Sequence, residues 1–504
     1  MNTISVDDMR IVDENSTNLG IPSILLMENA GNGLSRIIRS NLDINKENNI
    51  VIFSGTGNNG GDGFVAARHL TNLPNLTVKM VLVGNSKRIR SDEAILNWKI
   101  INNMDIIQIL NIRDSTDLEK IKEKIDNFDV IIDAILGTGI SGKLREPVAS
   151  VIKYINESSG LKVSVDVPSG MDPDTGNVHD NCVNADITAT FHKAKAGLIE
   201  NEKVGKLEVI NIGIPPEAEY IVGTGDLRYI TQKRDTESHK GDFGKILVIG
   251  GSDQYSGAPA IAGLSAYRTG SDLVIIIAPE KISAPLRSYS PNLIIREYSS
   301  DFLTPEDIEN NSDLIDWADS IIIGPGLGKR RETYKAVQMF FKTIKNKETP
   351  ILIDADAIKA LADKKDLIKD HKVVITPHFG EFKIFTNDKY TIPKDSLERA
   401  HLIKRIANRY NITILLKGSI DIISDGERYK LNKTGTPAMT VGGTGDCLSG
   451  IVGSLLGMKY NTFRAATAGA FLCGKAGELA EKKAKGPHIM ATDLLKHISF
   501  ENFL

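Results

Sequence analysis

The chain has 504 residues, enough for about two to four domains, and its 41% hydrophobic and 25% charged residues give the balance of a globular protein. A net charge of -3 provides no basic excess for holding nucleic acid. Its three cysteines, Cys182, Cys447 and Cys473, are too far apart for a CxxC pair, which argues against a disulfide framework and for a reducing, cytoplasmic setting.

The first residues, Val6, Asp7 and Asp8 among them, carry acid where a secretion signal needs base, so none is expected. Two helices are predicted at residues 6–18 and 24–40, and their apolar content leads to the expectation of a homo-oligomer. Residues 50–53 read as a buried strand, followed by Gly55-Thr56-Gly57-Asn58-Asn59-Gly60-Gly61-Asp62-Gly63 and a helix at 64–70. Further strands are expected at 77–83, 130–133 and 163–167, with helices at 93–104 and 118–125 between them. Strand–helix alternation predicts a parallel sheet covered on both faces.

Residues 213–236 are turn-rich and then charged, which places a domain at 1–220, a linker at 221–236 and a second domain at 237–504. The second half restarts with a strand at 245–249. Others are expected at 273–278, 320–324, 351–354, 373–376 and 412–416, and residues 444–485 are mostly helical. The longest apolar runs, such as 273–278, are too short to span a bilayer, so no membrane role is expected.

Three strand ends in the first half carry chemistry. The glycine-rich segment after the first strand offers backbone N–H groups to a phosphate, but it is neither a Walker A loop nor a G-x-G-x-x-G turn. Asp133 ends a second strand and precedes Gly137, Thr138, Gly139, Ile140, Ser141, Gly142 and Lys143. Asp166 ends a third and precedes Ser169. If those strands are neighbours, one site results. The Asn59 carbonyl, the Asp133 carboxylate and the Ser169 hydroxyl form an oxygen set suited to a hard monovalent or divalent cation. Lys193 and Lys195 are expected either to face phosphates or to lie on the solvated surface.

In the second half, Gly442-Gly443-Thr444-Gly445-Asp446 opens an apolar helix. Bare N–H groups of a first helical turn favour an anion. A carboxylate there suits removal of a proton from a hydroxyl that attacks a phosphoryl group.

These segments resemble the bifunctional NAD(P)H-hydrate repair enzymes. Residues 55–70, 133–139 and 165–170 resemble the family's epimerase domain. The dehydratase domain, akin to ribokinase-like kinases, is matched in order by residues 239–244, 257–260, 324–328, 354–356, 376–381, 417–419 and 442–450. The resemblance implies an α/β fold of two αβα sandwiches, Rossmann-like and then ribokinase-like. It implies epimerisation of the R and S hydrates of NADH and NADPH (NADHX and NADPHX), then dehydration of the S form with ADP or ATP.

By matching position, Asn59, Asp133 and Ser169 would be potassium ligands. Asn58, Asn59, Gly60, Gly61, Asp62, residues 137–143 and Asp166 would contact the hydrate, with Asp166 as acid/base. In the second domain the hydrate would lie near Ala260, Gly326, His378 and the catalytic base Asp446. The nucleotide, carrying magnesium, would lie against Lys417, Gly418, Ser419, Ile420 and Asp421. It would also meet Thr436, Pro437, Ala438, Met439, Thr440, Val441, Gly442, Gly443, Thr444 and Gly445. Glu381 is read as a residue that organises magnesium or water, or as a first-turn helix acid. Thr436 departs from the family pattern, which has Asn before this approach, and bears on nucleotide choice. The runner-up is a ribokinase-like vitamin or sugar kinase fused to a non-catalytic Rossmann-like domain. A binding module of the kind found in RNA-decapping scaffolds is the reading from another class.

Overall fold

The computed structural model describes residues 3–43, 45–125, 128–139, 142–231 and 234–503. Ile140 and Ser141 lie outside the described residues. The chain divides into two compact units, Met1–Pro216 and Glu217–Leu504. Among the described residues no helix is long and apolar enough to cross a membrane.

The first unit is built on seven strands: β1 (Asn48–Ser54), β2 (Leu76–Val83), β3 (Gln108–Ile112), β4 (Val130–Ala134), β5 (Leu161–Val165), β6 (Ile187–Phe191) and β7 (Lys206–Ile210). Their order is β3-β2-β1-β4-β5-β6-β7, and every pairing is parallel. Ile50, Val51, Ile52 and Phe53 are fully buried, as a strand covered on both faces requires. The chain leaves β1 towards one edge and returns on its other side as β4. That reversal puts a crevice at the carboxyl ends of β1 and β4, where open α/β sheets bind ligands. The three chemistry-bearing strands β1, β4 and β5 are therefore neighbours, as one site requires.

The helix expected at 64–70 instead runs Asn58–Leu70, so the glycine-rich segment is its first turn rather than a separate loop. The reason is close packing. A Cβ on Gly60 would collide with the Gly55 carbonyl, and one on Gly63 with Ser54 and Ala134. The missing side chains let the helix N-terminus lie flush on the strand ends.

The second unit holds nine strands: β8 (Lys245–Ile249), β9 (Leu273–Pro279), β10 (Ile294–Tyr298), β11 (Ser320–Ile323), β12 (Ile351–Ile353), β13 (Val373–Ile375), β14 (Thr413–Leu416), β15 (Asp421–Ser424) and β16 (Tyr429–Asn432). Their order is β10-β9-β8-β11-β12-β13-β14-β15-β16. Pairing is parallel through β14, and β15 and β16 add an antiparallel edge. One core cluster holds Ile451, Val452, Leu455, Phe463 and Phe471; a second holds Phe340, Phe382, Phe385 and Ile403. Helices thus cover the sheet in two layers, and the unit is an αβα sandwich.

The segment expected as a linker, residues 221–236, is not a free connection along its described part. The helix Thr224–Tyr229 buries Leu227 and Asp226 in the second unit. Asp226 receives Lys430 Nζ at 2.5 Å, and Val222 N donates to Leu431 O at 2.9 Å. A buried charge needs a partner, and Lys430 on β16 supplies it.

Candidate active sites

At the first unit's crevice, Asp133 at the end of β4 is almost fully buried and accepts four hydrogen bonds. Oδ2 receives Ser164 Oγ at 2.9 Å and Ser169 N at 2.8 Å; Oδ1 receives Ser169 Oγ at 2.5 Å and Ile135 N at 3.3 Å. Burial raises its pKa, and these donors oppose that rise. Asn59, in the first turn of Asn58–Leu70, donates Nδ2 to Leu136 O at 3.1 Å. Leu136 N in turn donates to Ser169 Oγ at 2.8 Å. Asn59, Asp133 and Ser169 therefore form one connected group, and the Asn59 Oδ1 has no hydrogen-bond donor among the described residues.

Asp166 follows β5 with φ +63°, a left-handed conformation uncommon for a residue with a side chain. Its N–H donates to Ala189 O at 2.8 Å. Its Oδ1 accepts Lys195 Nζ at 2.5 Å, Thr190 Oγ1 at 3.0 Å and Phe191 N at 3.3 Å. Backbone strain held by several contacts clusters at functional sites. Lys195 is about 1% exposed. It does not lie on the surface, the second of the two places expected for it, and its ammonium is turned onto Asp166. Its run of Lys193 and Lys195 gave no hint that one ammonium is turned inward to hold Asp166. Gly137 lies against Asn59, while Gly139 and Gly142 have open space around them.

In the second unit, Gly443 adopts φ +96° and caps the helix Thr444–Gly457. This turn exposes the first-turn N–H groups beside Asp446. The Asp446 carboxyl is pushed up to about 7, first by burial and then by Asp354 and Glu381, while Lys417 opposes the shift. Lys417 Nζ pairs with Asp354 Oδ1 at 3.0 Å, and Ser449 Oγ donates to Asp354 Oδ2 at 2.7 Å. The buried Asp354 is held below the usual carboxylate range: burial alone would raise it, but Lys417 and the hydroxyls outweigh burial. Lys417 thus pairs with Asp354 and acts electrostatically on Asp446, a pairing not expected from its assignment to the nucleotide.

His378 pairs as an isolated parallel bridge with Lys417. Its Nδ1 accepts from Gly380 N at 2.9 Å and Glu381 N at 3.3 Å, capping the helix Phe379–Phe385. Its Nε2 lies 3.5 Å from Glu381 Oε1, and the side chain is about 60% exposed. Glu381 returns the cap by accepting His378 N at 3.1 Å. Gly326 has φ +70°, and a Cβ there would press on Tyr255 and Ala258. Ala260 lies on the same helix, Gly257–Thr269, which meets Gly443 through Ile261.

Around the nucleotide segments, Gly418 N donates to Asp421 Oδ1 at 3.0 Å, and Ser419 is exposed. Ile420 is packed against the core of the far face. Thr436 Oγ1 donates to Glu481 and receives Ala438 N at 3.4 Å, so the departing residue is engaged within the protein. Pro437, Ala438 and Met439 form one short turn, and Thr440, Val441 and Gly442 connect it to the cap. A cavity of about 620 Å³, lined by Asp319, His371, Asn411 and Thr462, lies at the opposite ends of these strands. It is away from the chemistry, which occupies the carboxyl ends.

Comparisons with known proteins follow the same division. A family described as NAD(P)H-hydrate dehydratase matches residues 246–499, and one described as YjeF-related protein N-terminus matches residues 23–197. A bifunctional NAD(P)H-hydrate repair enzyme of Methanothermobacter thermautotrophicus is 42% identical over 497 residues, covering 97% of this chain and 93% of the relative. One from Pyrobaculum aerophilum is also 42% identical, covering 99% and 97%. Among solved structures, a hypothetical protein from Streptococcus mutans is similar over 56% of this chain and 99% of its own, with a TM-score of 0.50 at 24% identity. A Bacillus subtilis ADP/ATP-dependent NAD(P)H-hydrate dehydratase, co-crystallised with ATP and magnesium, covers the same shares at 28% identity and a TM-score of 0.48.

Proposed function

Because the chain belongs to the family of bifunctional NAD(P)H-hydrate repair enzymes, we propose that its first unit interconverts the R and S hydrates of NADH and NADPH and that its second dehydrates the S form with ADP or ATP. The observation that supports this most directly is the placing of Asp446. It stands in the first turn of an N–H-rich helix terminus, half-buried, with Lys417 and Asp354 behind it.

Asp446 takes the proton from the C6 hydroxyl as that oxygen attacks the terminal phosphoryl group of the nucleotide. The first-turn N–H groups, from Gly443 to Asp446, donate to the charge that develops on the transferred group. The phosphate so attached leaves far more readily than hydroxide. The ring nitrogen expels it, loss of the C5 proton restores the dihydronicotinamide, and AMP or ADP and phosphate are released. Magnesium bound with the nucleotide would neutralise charge on its phosphates. Its partner in the protein is proposed to be Glu381, directly or through water.

The first unit fits potassium by its donor chemistry: the Asn59 Oδ1, the Leu136 carbonyl, the Asp133 carboxylate and the Ser169 hydroxyl are all hard oxygens in one connected group. Potassium would fix the loop after β4 against the helix Asn58–Leu70. Asp166 would move the proton at C6 and steady the cationic ring. The setting is proposed to be cytoplasmic.

The test is recovery of dihydronicotinamide absorbance from a mixed R/S hydrate preparation with magnesium, potassium and either ADP or ATP. Full recovery with release of orthophosphate supports both activities, and the nucleotide that works identifies the donor. A stable phosphorylated product would instead point to a small-molecule kinase.

A further inference from the structure

Every hydrogen bond to the Asp166 carboxyl falls on one of its two oxygens. Lys195 Nζ at 2.5 Å, Thr190 Oγ1 at 3.0 Å and Phe191 N at 3.3 Å all reach Oδ1. Among the described residues Oδ2 receives no donor, and it is not sealed inside the protein. The side chain is 14% exposed, and with Oδ1 covered three times over, Oδ2 is the oxygen left open. The carboxyl belongs to the crevice by its place in the chain: Ser164 and Ser169, on either side of it, both bond Asp133.

Lys195 is spent entirely on this arrangement. An ammonium has three N–H groups, and besides Asp166 Oδ1 its acceptors are Thr190 Oγ1 at 3.0 Å and Phe191 O at 3.5 Å. None is left for a ligand. The backbone that delivers it is braced on both sides. Thr3 bridges Ala194, and Ile4 N donates to Ala194 O at 2.9 Å. Gly197 N donates to Pro173 O at 2.9 Å, and a Cβ on Gly197 would collide with Gly176 N. A buried ion pair is a poor device for stability alone, since an apolar pair of the same shape does as well. What the ion pair adds is a fixed orientation and a charge at one chosen oxygen.

We propose that Lys195 is the positioning residue of the epimerisation: with Thr190 and the Phe191 N–H it clamps Asp166 Oδ1, so that Oδ2 alone exchanges the proton with the oxygen on C6. This rests on the epimerase reading of the first unit. As the hydroxyl leaves, the proton on Oδ2 goes to the departing oxygen, the C6–O bond breaks and the ring nitrogen's lone pair forms C=N. Water then adds to the other face: its oxygen bonds C6, the C=N pair returns to nitrogen, and its surplus proton returns to Oδ2 through solvent. No proton is gained or lost overall. The ammonium on Oδ1 shares the negative charge that each departure of the proton leaves behind.

Other charged groups act on the same pair. Asp13 of the helix Val6–Asn18 and Asp62 in the first turn of Asn58–Leu70 are within electrostatic reach of both Asp166 and Lys195, and His192 follows Phe191. The two acids oppose Lys195 in sign. Removing the ammonium therefore leaves Asp166 facing like charges and moves proton release from Oδ2 to higher pH.

The experiment follows conversion of purified R hydrate to S hydrate by the full chain across pH, with thermal unfolding as the check on folding. Lys195→Met is expected to lower kcat at least about 100-fold, with KM changed by less than about threefold, and to move the pH limb of kcat upward. Thr190→Val keeps the ion pair and removes one donor to Oδ1. It should lower kcat about tenfold, and Thr190→Ser should restore the rate. A folded Lys195→Met chain with wild-type kcat, one whose loss lies in KM alone, or one whose pH limb has not moved overturns the assignment while leaving the epimerase reading intact. If Lys195→Met does not fold, the Thr190 variants decide: wild-type kcat in Thr190→Val overturns the clamp. Wild-type protein that dehydrates S hydrate but leaves R hydrate unchanged overturns the epimerase reading and the assignment together.

Discussion

Asp446 sets two expectations at the scale of a single residue. As a base it works only when ionised, so dehydration should rise as pH passes about 7 and then level off. Asp446→Asn should lower the dehydration rate at least about 100-fold and leave epimerisation of R hydrate in place. The same carboxyl also bears on stability. Its folded pKa lies above its unfolded value of 3.8, so its contribution is full below about pH 4 and is lost as pH rises through about 7. Asp446→Asn should therefore melt higher than wild type at about pH 8 and no higher at about pH 4. An equal effect at both pH values would contradict burial as the cause. The pair of Asp166 and Lys195 makes the opposite demand. Asp166→Ala strands a buried ammonium and should destabilise the first unit by about 3–5 kcal/mol. Asp166→Ala combined with Lys195→Met should regain much of that stability without regaining epimerisation, a comparison read by thermal unfolding alongside R-hydrate turnover.

Helix packing on the sheets depends on absent side chains. In the helix Thr444–Gly457, a Cβ on Gly450 would run into the Ala262 carbonyl and Ser265 of the helix Gly257–Thr269. Gly450→Ala should cost about 1–3 kcal/mol in overpacking and also shift Asp446, which sits one turn earlier. Lowered melting with an unchanged dehydration rate would show that the helix absorbs the strain without moving its terminus. The elements most legible in the sequence were those buried on both faces: β1, β4, β8 and β11 read as unbroken apolar runs. Those missed have physical reasons. β6 contains Thr188 and Thr190, whose hydroxyls find Val204 O and Asp166, so a polar pattern is buried. β3 and β10 are half-exposed edges with weak alternation. The strand-end acids Asp133 and Asp166 were visible because each follows an apolar run, and Asp446 because it opens one after a glycine-rich turn. Asp354 was not singled out as a site residue, and Lys195 was weighed only as facing phosphates or solvent, since long-range pairing with Lys417 and with Asp166 places them.

At the scale of the whole molecule, the division falls at Pro216 and Glu217, inside the turn-rich stretch 213–236 and ahead of the linker that sequence alone places at 221–236. A second unit beginning at residue 217 keeps Asp226 with Lys430; one beginning at 237 takes that carboxylate away from the Lys430 ammonium, whose side chain is only 7% exposed. The shorter form should be less stable by about 3–5 kcal/mol. Equal denaturant midpoints for the two forms would refute that reading. Lys430→Met in the shorter form should restore stability.

The bridge between Thr3 and Ala194 also orders events in time. The beginning of the chain cannot reach its place beside Lys195 until nearly the whole first unit has been synthesised. At about 5–20 residues per second, that leaves the leading helix without its native anchor for roughly ten seconds or more on the ribosome. The crevice then closes while most of the second unit is still to come. Slowing translation after Pro216 should therefore leave the first activity untouched, whereas a stall before Ala194 would hold a nascent chain with its site unformed.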